Sequence, residues 1–390
     1  MQKILDLPLP DDDALRHSQA LQRLIHAEID RAAGKLPFDR YMELALYAPG
    51  LGYYSAGSQK FGEGGDFVTA PELSVLFSRA LARQCAEILR KIGDAEIIEF
   101  GAGSGAMAVE LLSELERQQA LPRRYCILEL SAELRARQQQ ALKARLPHLF
   151  ERIIWLDQLP SGFRGVVLAN EILDAMPVQR FCWREAGLRE LCVGHDGERL
   201  ALIPAEPSEA LATAVNAFAE RYGWQGESCS EINLRAAPWI TSLGAMLEEG
   251  VALLIDYGFP RHEYYHPQRT QGTLMCHYRH RAHDDALLWP GLQDITAHVD
   301  FTAVAEAALQ AGLAVRGYTS QANFLLGNGL LEMLAELGQG DSRAQLTLSN
   351  QVKRLTMPGE MGELFKVMAL GKAWQGPLSG FALRDERARL

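Results

Sequence analysis

Between positions 97 and 106 the chain runs Ile97-Ile98-Glu99-Phe100-Gly101-Ala102-Gly103-Ser104-Gly105-Ala106. Apolar residues lead into a turn with three spaced glycines, and residues 107–115 continue as an amphipathic stretch. This pattern predicts a buried strand, a tight loop and the start of a helix. Glycines let backbone amides approach a ligand closely, and a helix N-terminus favours polar or negative groups. The sequence therefore predicts a ligand-binding loop at the end of a strand.

Strand and helix patterns alternate after this loop. Four further apolar segments end at an acidic residue, namely 125–129, 152–157, 165–171 and 251–256. Continuous apolar strands separated by helices indicate a parallel sheet covered on both faces. Segments 313–318 and 364–370 predict two more strands, and two helices precede the last one. We expect an α/β fold with a Rossmann-like sheet of seven strands.

Changes in the predicted secondary structure divide the chain into four expected segments. Residues 1–90 are predicted to form an N-terminal helical region and a glycine-rich loop, and residues 91–177 the first half of the sheet core. Short strand patterns and turns such as Asp196-Gly197 predict an inserted antiparallel and helical region at 178–250 that covers the substrate site. Residues 251–390 would complete the core, with a loop insertion at 259–300.

Composition indicates an ordinary globular protein of 390 residues, with 48% hydrophobic and 23% charged residues. A net charge of −10 argues against broad nucleic-acid binding. The N-terminus lacks a secretory or organellar targeting pattern, and no apolar run approaches the roughly 20 residues that span a bilayer. We therefore expect a cytoplasmic location, no nucleic-acid partner and no membrane insertion.

Cysteine and histidine usage predicts no metal site. The six cysteines contain no C-x-x-C pair, so no disulfide or zinc framework is expected, and Cys85 and Cys126 are predicted core residues. His277, His280 and His283 lie close together, but the interleaved arginines would repel a cation.

The acids at the strand ends indicate which cofactor the fold holds. Ligands of open parallel sheets bind at the carboxyl ends of the strands, where Glu129 could accept both ribose hydroxyls of NAD or of S-adenosylmethionine (SAM). A negative Glu99 beside the glycines would repel a pyrophosphate and attract the cationic sulfonium and ammonium of SAM. The alternative for Glu99 is a strand-end residue bound to backbone amides.

SAM is therefore the predicted cofactor, and a dinucleotide-dependent oxidoreductase is the alternative. Thr69 with Glu72 three residues later predicts a capping box and a helix that continues to Leu89. The glycine-rich loop before it is predicted to cover the methionine end of the cofactor. A flexible surface loop is the other interpretation. The predicted cofactor-binding residues are Gly65, Asp66, Thr69, Glu99, Gly101, Gly103, Gly105, Glu129, Asp157 and Asn170.

Further motifs extend over nearly the whole chain. They are Gly50-Leu51-Gly52-Tyr53-Tyr54, Gly65-Asp66-Phe67-Val68-Thr69-Ala70-Pro71-Glu72, Ala169-Asn170-Glu171, Asp174-Ala175-Met176-Pro177-Val178, Ile255-Asp256-Tyr257-Gly258, Asp294-Ile295-Thr296-Ala297-His298-Val299-Asp300-Phe301 and Met361-Gly362-Glu363-Leu364-Phe365-Lys366-Val367. With the glycine loop, they resemble the class I SAM-dependent methyltransferase family that includes the mitochondrial complex I assembly factor methyltransferase and its bacterial relatives. The resemblance implies a seven-stranded sheet with an antiparallel last strand. Because the mitochondrial member is a protein arginine methyltransferase, it also implies a protein substrate.

A guanidinium acceptor would need carboxylates to orient it and to take up its charge. Asn170, Glu171 and Asp174, at the end of the fourth strand, are the predicted catalytic residues, with Glu171 and Asp174 as a clamp. Asp256 and His298 are predicted to line the substrate pocket. In the alternative, Glu171 caps a turn and Asp174 bonds the backbone. A SAM-binding assembly factor without turnover and a homodimer are also left open.

Overall fold

The computed structural model describes residues 7–55, 69–184, 187–222, 227–337 and 342–390. The chain divides into two compact units. We call Val68–Ile172, Ala237–Pro260 and Asp300–Leu390 the Rossmann unit. We call Met1–Phe67, Leu173–Ala236 and Arg261–Val299 the accessory unit. The four consecutive segments expected from the sequence stay a prediction.

The strands of the described residues are numbered in chain order. They are β1 (Leu36–Pro37), β2 (Glu96–Phe100), β3 (Tyr125–Leu128), β4 (Ile153–Leu156), β5 (Phe163–Asn170), β6 (Gln179–Arg184), β7 (Gly187–His195), β8 (Leu200–Ala205), β9 (Ser228–Ile232), β10 (Leu247–Phe259), β11 (Met275–Tyr278), β12 (Arg281–His283), β13 (Asp294–Thr296), β14 (Val299–Asp300), β15 (Ala314–Ser320) and β16 (Phe365–Lys372).

The α-helices of the same residues vary from single turns to long helices. They are α1 (Asp12–Arg31), α2 (Phe38–Tyr47), α3 (Ala70–Leu73), α4 (Val75–Ile92), α5 (Ala106–Arg117), α6 (Ala132–Arg145), α7 (Glu209–Tyr222), α8 (Ala236–Met246), α9 (Arg261–Tyr264), α10 (Phe301–Gln310), α11 (Gln321–Gly327), α12 (Leu330–Leu337), α13 (Ser342–Thr356) and α14 (Met361–Leu364).

The main sheet has eight strands, of which seven follow one another in the order β15-β16-β10-β5-β2-β3-β4 and β14 pairs separately with β10. The pairs from β10 to β4 are parallel, whereas β16 runs antiparallel to both of its neighbours. This is the predicted sheet with its reversed last strand. All five residues of β2 are buried, because helices cover both faces of a parallel sheet. The carboxyl ends of β2, β3, β4, β5 and β10 therefore meet at one edge.

The helix predicted from Thr69 to Leu89 is interrupted. It consists of α3 and α4, because Ser74 has an extended backbone with φ −156° and caps α4 by accepting from the Leu76 amide at 3.3 Å. Thr69 precedes α3 without a side-chain capping bond. The predicted capping box is therefore wrong, since the serine further along the chain satisfies the N-terminus of the long helix.

The accessory unit contains two antiparallel sheets. Strands β1, β7, β6 and β9 pair in that order with β8 on the other side of β7, and β12, β11 and β13 form a smaller sheet. Its core contains apolar residues of α1 and α2, including Leu21, Ile25 and Tyr41. The Tyr41 hydroxyl donates to the Ala286 carbonyl at 2.6 Å. Antiparallel strands are therefore present where the sequence predicts the insertion.

The cysteines differ from expectation in one respect. Cys182 on β6 and Cys229 on β9 are direct cross-strand neighbours and form a disulfide, although neither belongs to a C-x-x-C pair. The two cysteines are 47 residues apart, so only the strand register brings them together. Cys85 and Cys126 are buried and reduced, as predicted for core residues.

Candidate cofactor site

The glycine loop leaves β2 through three left-handed residues. Gly101, Gly103 and Gly105 have φ values of 59°, 54° and 85°, which L side chains rarely adopt. A Cβ at Gly101 would lie 2.6 Å from Ile172 Cδ1. Gly105 is the N-cap of α5, so the first amides of that helix point toward the loop. Such a helix N-terminus favours polar ligand groups, and ligand binding at this loop stays a prediction.

A side-chain contact ties this loop to α3. The Ser104 hydroxyl donates to the Glu72 carboxylate and accepts from the Ala106 amide. Glu72 therefore hydrogen-bonds to the glycine loop and does not take part in a capping box. Thr69 lies at the start of α3, within the same unit. Gly65 and Asp66, which the sequence places over the cofactor, lie outside the described residues.

Glu99 is almost completely enclosed, with 1% of its surface exposed. Its carboxylate accepts a hydrogen bond from the Tyr125 hydroxyl at 2.6 Å. Burial raises the pKa of Glu99 to about 7, the hydrogen bond from Tyr125 opposes this change, and the nearby Glu129 adds to it. At neutral pH the group therefore carries only part of the negative charge that the choice of SAM over a dinucleotide assumes. Its partner is a tyrosine hydroxyl, not the backbone amides of the alternative.

Glu129 directly follows β3 and is held by two donors. Its Oε1 accepts from the Ser131 amide at 3.0 Å, and its Oε2 accepts from Gln138 Nε2 at 2.9 Å. Burial raises the pKa of Glu129, and these two donors, together with the Leu130 amide, oppose the rise. The neighbouring Leu130 is 87% exposed, so the tip of β3 offers an acid and an apolar surface together.

Gln138 on α6 is a residue of this site that no sequence pattern indicates. It is fully buried, and its Nε2 also donates to the Gly103 carbonyl at 3.0 Å. The strongly polar composition of α6 gives no periodic signal by which one buried glutamine could be distinguished from its exposed neighbours. The side chain of Gln138 thus joins the glycine loop to Glu129.

Asp157 follows β4 at the same edge. Its side chain is 85% exposed and pairs with Arg135 Nη1 at 2.6 Å. Arg135 also donates to the Trp155 carbonyl at 3.3 Å. The structure therefore places Asp157 beside the predicted site, but in a solvent-exposed ion pair.

Three predicted residues meet at the ends of β5 and β10. Asn170 pairs in register with Ile255, and the Glu171 amide donates to the Ile255 carbonyl at 2.9 Å. Asn170 Nδ2 donates to Glu171 Oε1 at 3.0 Å. Asp256 is buried, and its Oδ1 accepts from the Tyr257 amide at 2.9 Å. Asn170 and Glu171 thus lie at the end of β5, and Asp256 lies on the neighbouring strand β10, next to the residue that pairs with Asn170.

Glu171 has a left-handed backbone, with φ 54°. This conformation is uncommon for a residue with a Cβ and costs on the order of 1–3 kcal/mol. Asn170 Oδ1 is buried and has no hydrogen-bond partner among the described residues. Backbone strain and an orphaned buried acceptor both concentrate at functional sites.

Asp174 and His298 belong to the accessory unit. Asp174 is buried, and its carbonyl accepts from the Ala297 amide at 3.0 Å. Burial lowers the pKa of His298 to about 4, so the imidazole is neutral. Its Nδ1 lies 3.2 Å from the Thr273 carbonyl, and its amide donates to the Thr273 hydroxyl. The roles of both residues toward a substrate stay predictions.

Within the described ranges, no group of three or more histidine, cysteine, aspartate or glutamate side chains is arranged to hold a metal ion. None of the helices in this part of the chain combines the length and apolar character needed to span a bilayer.

The sequence profile of a family of S-adenosyl-L-methionine-dependent methyltransferases matches residues 80–319. The chain belongs to this family. The protein is therefore a methyltransferase with SAM as its cofactor, and the predicted class I fold is confirmed.

Individual proteins extend this finding over nearly the full chain. A Burkholderia thailandensis protein crystallised with S-adenosyl-homocysteine is 47% identical, with a TM-score of 0.94 over 99% of this chain and 100% of that chain. A native crystal structure from the same organism is 46% identical, with a TM-score of 0.90 and the same coverage.

Curated relatives include mitochondrial protein arginine methyltransferase NDUFAF7 of Danio rerio, which is 28% identical over 373 residues, 87% of this chain and 84% of the relative. The Drosophila melanogaster homologue is 29% identical over 383 residues, 90% of this chain and 84% of the relative. The predicted cytoplasmic location is contradicted, because these relatives and the human protein are named as mitochondrial. The N-terminal pattern is therefore a poor guide to location.

Proposed function

We propose that this enzyme transfers the methyl group of SAM to an arginine side chain of a protein. The observation that carries the proposal is the match to relatives named protein arginine methyltransferases, which covers more than four fifths of both chains. The acidic strand ends of the Rossmann unit support the same substrate class, because carboxylates are the groups that best bind a guanidinium.

The transfer forms a bond between an arginine nitrogen and the methyl carbon while the bond from that carbon to sulfur breaks. Bound SAM supplies the methyl group on a positively charged sulfur. S-adenosylhomocysteine leaves with the electron pair of the broken bond, and the methylated nitrogen would pass one proton to a nearby carboxylate and from there to solvent. That carboxylate would also stabilise the positive charge before the proton leaves, which lowers the barrier.

Glu171 is our candidate for that carboxylate. It lies at the carboxyl end of β5, where ligands of open α/β sheets bind, and its strained backbone is held by the hydrogen bond to Ile255. Asn170 holds one carboxylate oxygen at 3.0 Å. Glu171 would accept two guanidinium N–H groups and orient one nitrogen toward the methyl group. Asp174, the other residue of the clamp predicted from the sequence, belongs to the accessory unit, and its role stays a prediction that Asp174→Asn tests separately.

Methyl transfer by the purified full-length chain tests this assignment. Proteins extracted from cells that lack the chain would be incubated with the enzyme and isotopically labelled SAM, and labelled residues identified by mass spectrometry. We expect label on arginine. Label confined to other residue types would overturn the arginine assignment, and SAM binding without any transfer would favour the assembly factor.

The variant Glu171→Gln keeps the shape of the side chain and removes its charge. We expect transfer to fall by about 100-fold or more, as when one transition-state contact is removed, with little change in affinity for S-adenosylhomocysteine. Glu249→Gln is the matched control, since Glu249 forms a solvent-exposed pair with Arg164 at 2.7 Å at the other end of the sheet. Full transfer by Glu171→Gln would remove this residue from the mechanism.

A further inference from the structure

We propose that Gln138 is a positioning residue of the cofactor site, which fixes Glu129 to receive the ribose hydroxyls of SAM. This inference rests on the predicted role of Glu129 in cofactor binding. No motif in the sequence points to Gln138. Its hydrogen-bond geometry and its place on α6 carry the inference.

The orientation of the Gln138 amide follows from chemistry. Trp155 Nε1 lies 3.0 Å from Gln138 Oε1, and an indole N–H can only donate. The amide oxygen must therefore face Trp155, which leaves both N–H groups for Gly103 and Glu129. The partners there are a carbonyl oxygen and a carboxylate oxygen, at 3.0 and 2.9 Å, which can only accept. All three polar contacts agree on one orientation.

The position of Gln138 on α6 supports a role beyond packing. The buried residues of this helix are Gln138 and Leu142, one turn apart on the same face. Leu142 packs in the hydrophobic core of the Rossmann unit, whereas Gln138 lies against the loop, 3.6 Å from where a Cβ of Gly105 would be. A buried amide without partners is costly, so this position is favourable only because the loop, the acid and the indole are all in place.

The contacts leave Glu129 ready for a ligand. Its Oε1 accepts from Ser131 and its Oε2 from Gln138, the Leu130 amide adds a smaller favourable contact, and the carboxylate keeps further lone pairs. Both donors favour the charged form of Glu129, which burial opposes. An ionised and immobile carboxylate can accept from two adjacent ribose hydroxyls at once. Loss of the Gln138 contact would free one oxygen and shift the acid toward its neutral form.

The test compares S-adenosylhomocysteine with its 2′,3′-dideoxy analogue by calorimetry on the full-length protein. The wild-type protein should bind the parent more tightly, because the analogue cannot donate to Glu129. In Gln138→Leu, which keeps the volume and removes the amide, we expect this preference to shrink by at least about fivefold. As the pH is lowered from neutrality, the variant should also lose its remaining preference at a higher pH than the wild-type protein does.

Gln118→Leu is the matched control, because Gln118 donates to buried Glu114 at 2.7 Å near the end of α5. It should leave the preference unchanged. Trp155→Phe removes the donor that orients the Gln138 amide, and it tests the inference if Gln138→Leu does not fold. We expect it to reduce the preference as well.

The outcomes separate two failures. An unchanged preference in folded Gln138→Leu, or in Trp155→Phe when the first variant does not fold, would overturn the positioning role. Equal binding of both ligands by the wild-type protein would instead show that Glu129 does not hold the ribose, and the inference would fall with that assignment.

Discussion

Glu99 places a carboxyl group inside the Rossmann unit, where its charge is costly. Its folded pKa is raised from 4.5 to about 7 by burial, so the folded state prefers the protonated form. This preference contributes fully to the free energy of unfolding below about pH 4.5, and the contribution is lost as the pH rises through about 7. The magnitude is on the order of 3 kcal/mol for a shift of this size.

Glu99→Gln should remove this pH dependence. The amide keeps an acceptor for the Tyr125 hydroxyl, so we expect the cofactor-free variant to match the wild-type protein near pH 4.5 and to exceed its free energy of unfolding about one pH unit above the folded pKa. Urea denaturation at both pH values measures the difference. If the free energies of unfolding of the two proteins differ by the same amount at both pH values, the assigned cost of burying the Glu99 charge is contradicted.

Gly101 permits a test of the loop conformation. Gly101→Ala introduces a Cβ at φ 59° and 2.6 Å from Ile172. We expect a loss of about 1–2 kcal/mol in the free energy of unfolding and a clear loss of affinity for S-adenosylhomocysteine. Gly312→Ala is the control, because Gly312 has φ 74° with no atom within 4 Å of its would-be Cβ. It should lose similar stability and keep its affinity; equal binding by both variants would argue against the loop as the ligand site.

At the level of elements, the break between α3 and α4 shows where sequence patterns become ambiguous. Thr69 and Ser74 both precede apolar helical segments, and either hydroxyl could cap a helix. The choice depends on Glu72, which has the spacing of a capping box but binds Ser104 in the folded protein. Tertiary contacts of this kind cannot be inferred from spacing.

The two hydroxyls should therefore differ in their contribution to stability. Ser74→Ala removes the cap of an 18-residue helix and should cost about 1 kcal/mol. Thr69→Ala removes no capping bond and should cost less. Thermal unfolding of the two variants decides between them. A larger loss of stability in Thr69→Ala than in Ser74→Ala would instead support the predicted continuous helix that Thr69 caps.

The register in which strands pair is a second feature that the sequence does not predict. The β6–β9 pairing places Cys182 opposite Cys229, and no feature of the sequence between them specifies that register. The contacts of Gln138 could not be predicted from the sequence for a related reason. Its three partners lie on the glycine loop, at the tip of β3 and on β4, so the site exists only after the sheet has formed.

For the whole molecule, the order of strand patterns is sufficient to predict the Rossmann sheet. Long apolar runs identify buried parallel strands, and the glycine loop predicts the edge at which a ligand would bind. The family and the cofactor follow from motifs distributed along the chain, and the similarity to known methyltransferases confirms both. Location does not follow, because the absence of a targeting pattern carries little information.

A crystal structure of this protein with S-adenosylhomocysteine tests the proposed cofactor site most directly. We predict both ribose hydroxyls within about 3 Å of the Glu129 carboxylate, a hydrogen-bond distance, with Gln138 still bound to Gly103, Glu129 and Trp155. A ribose held by other residues, with neither hydroxyl within hydrogen-bond distance of Glu129, would contradict this prediction.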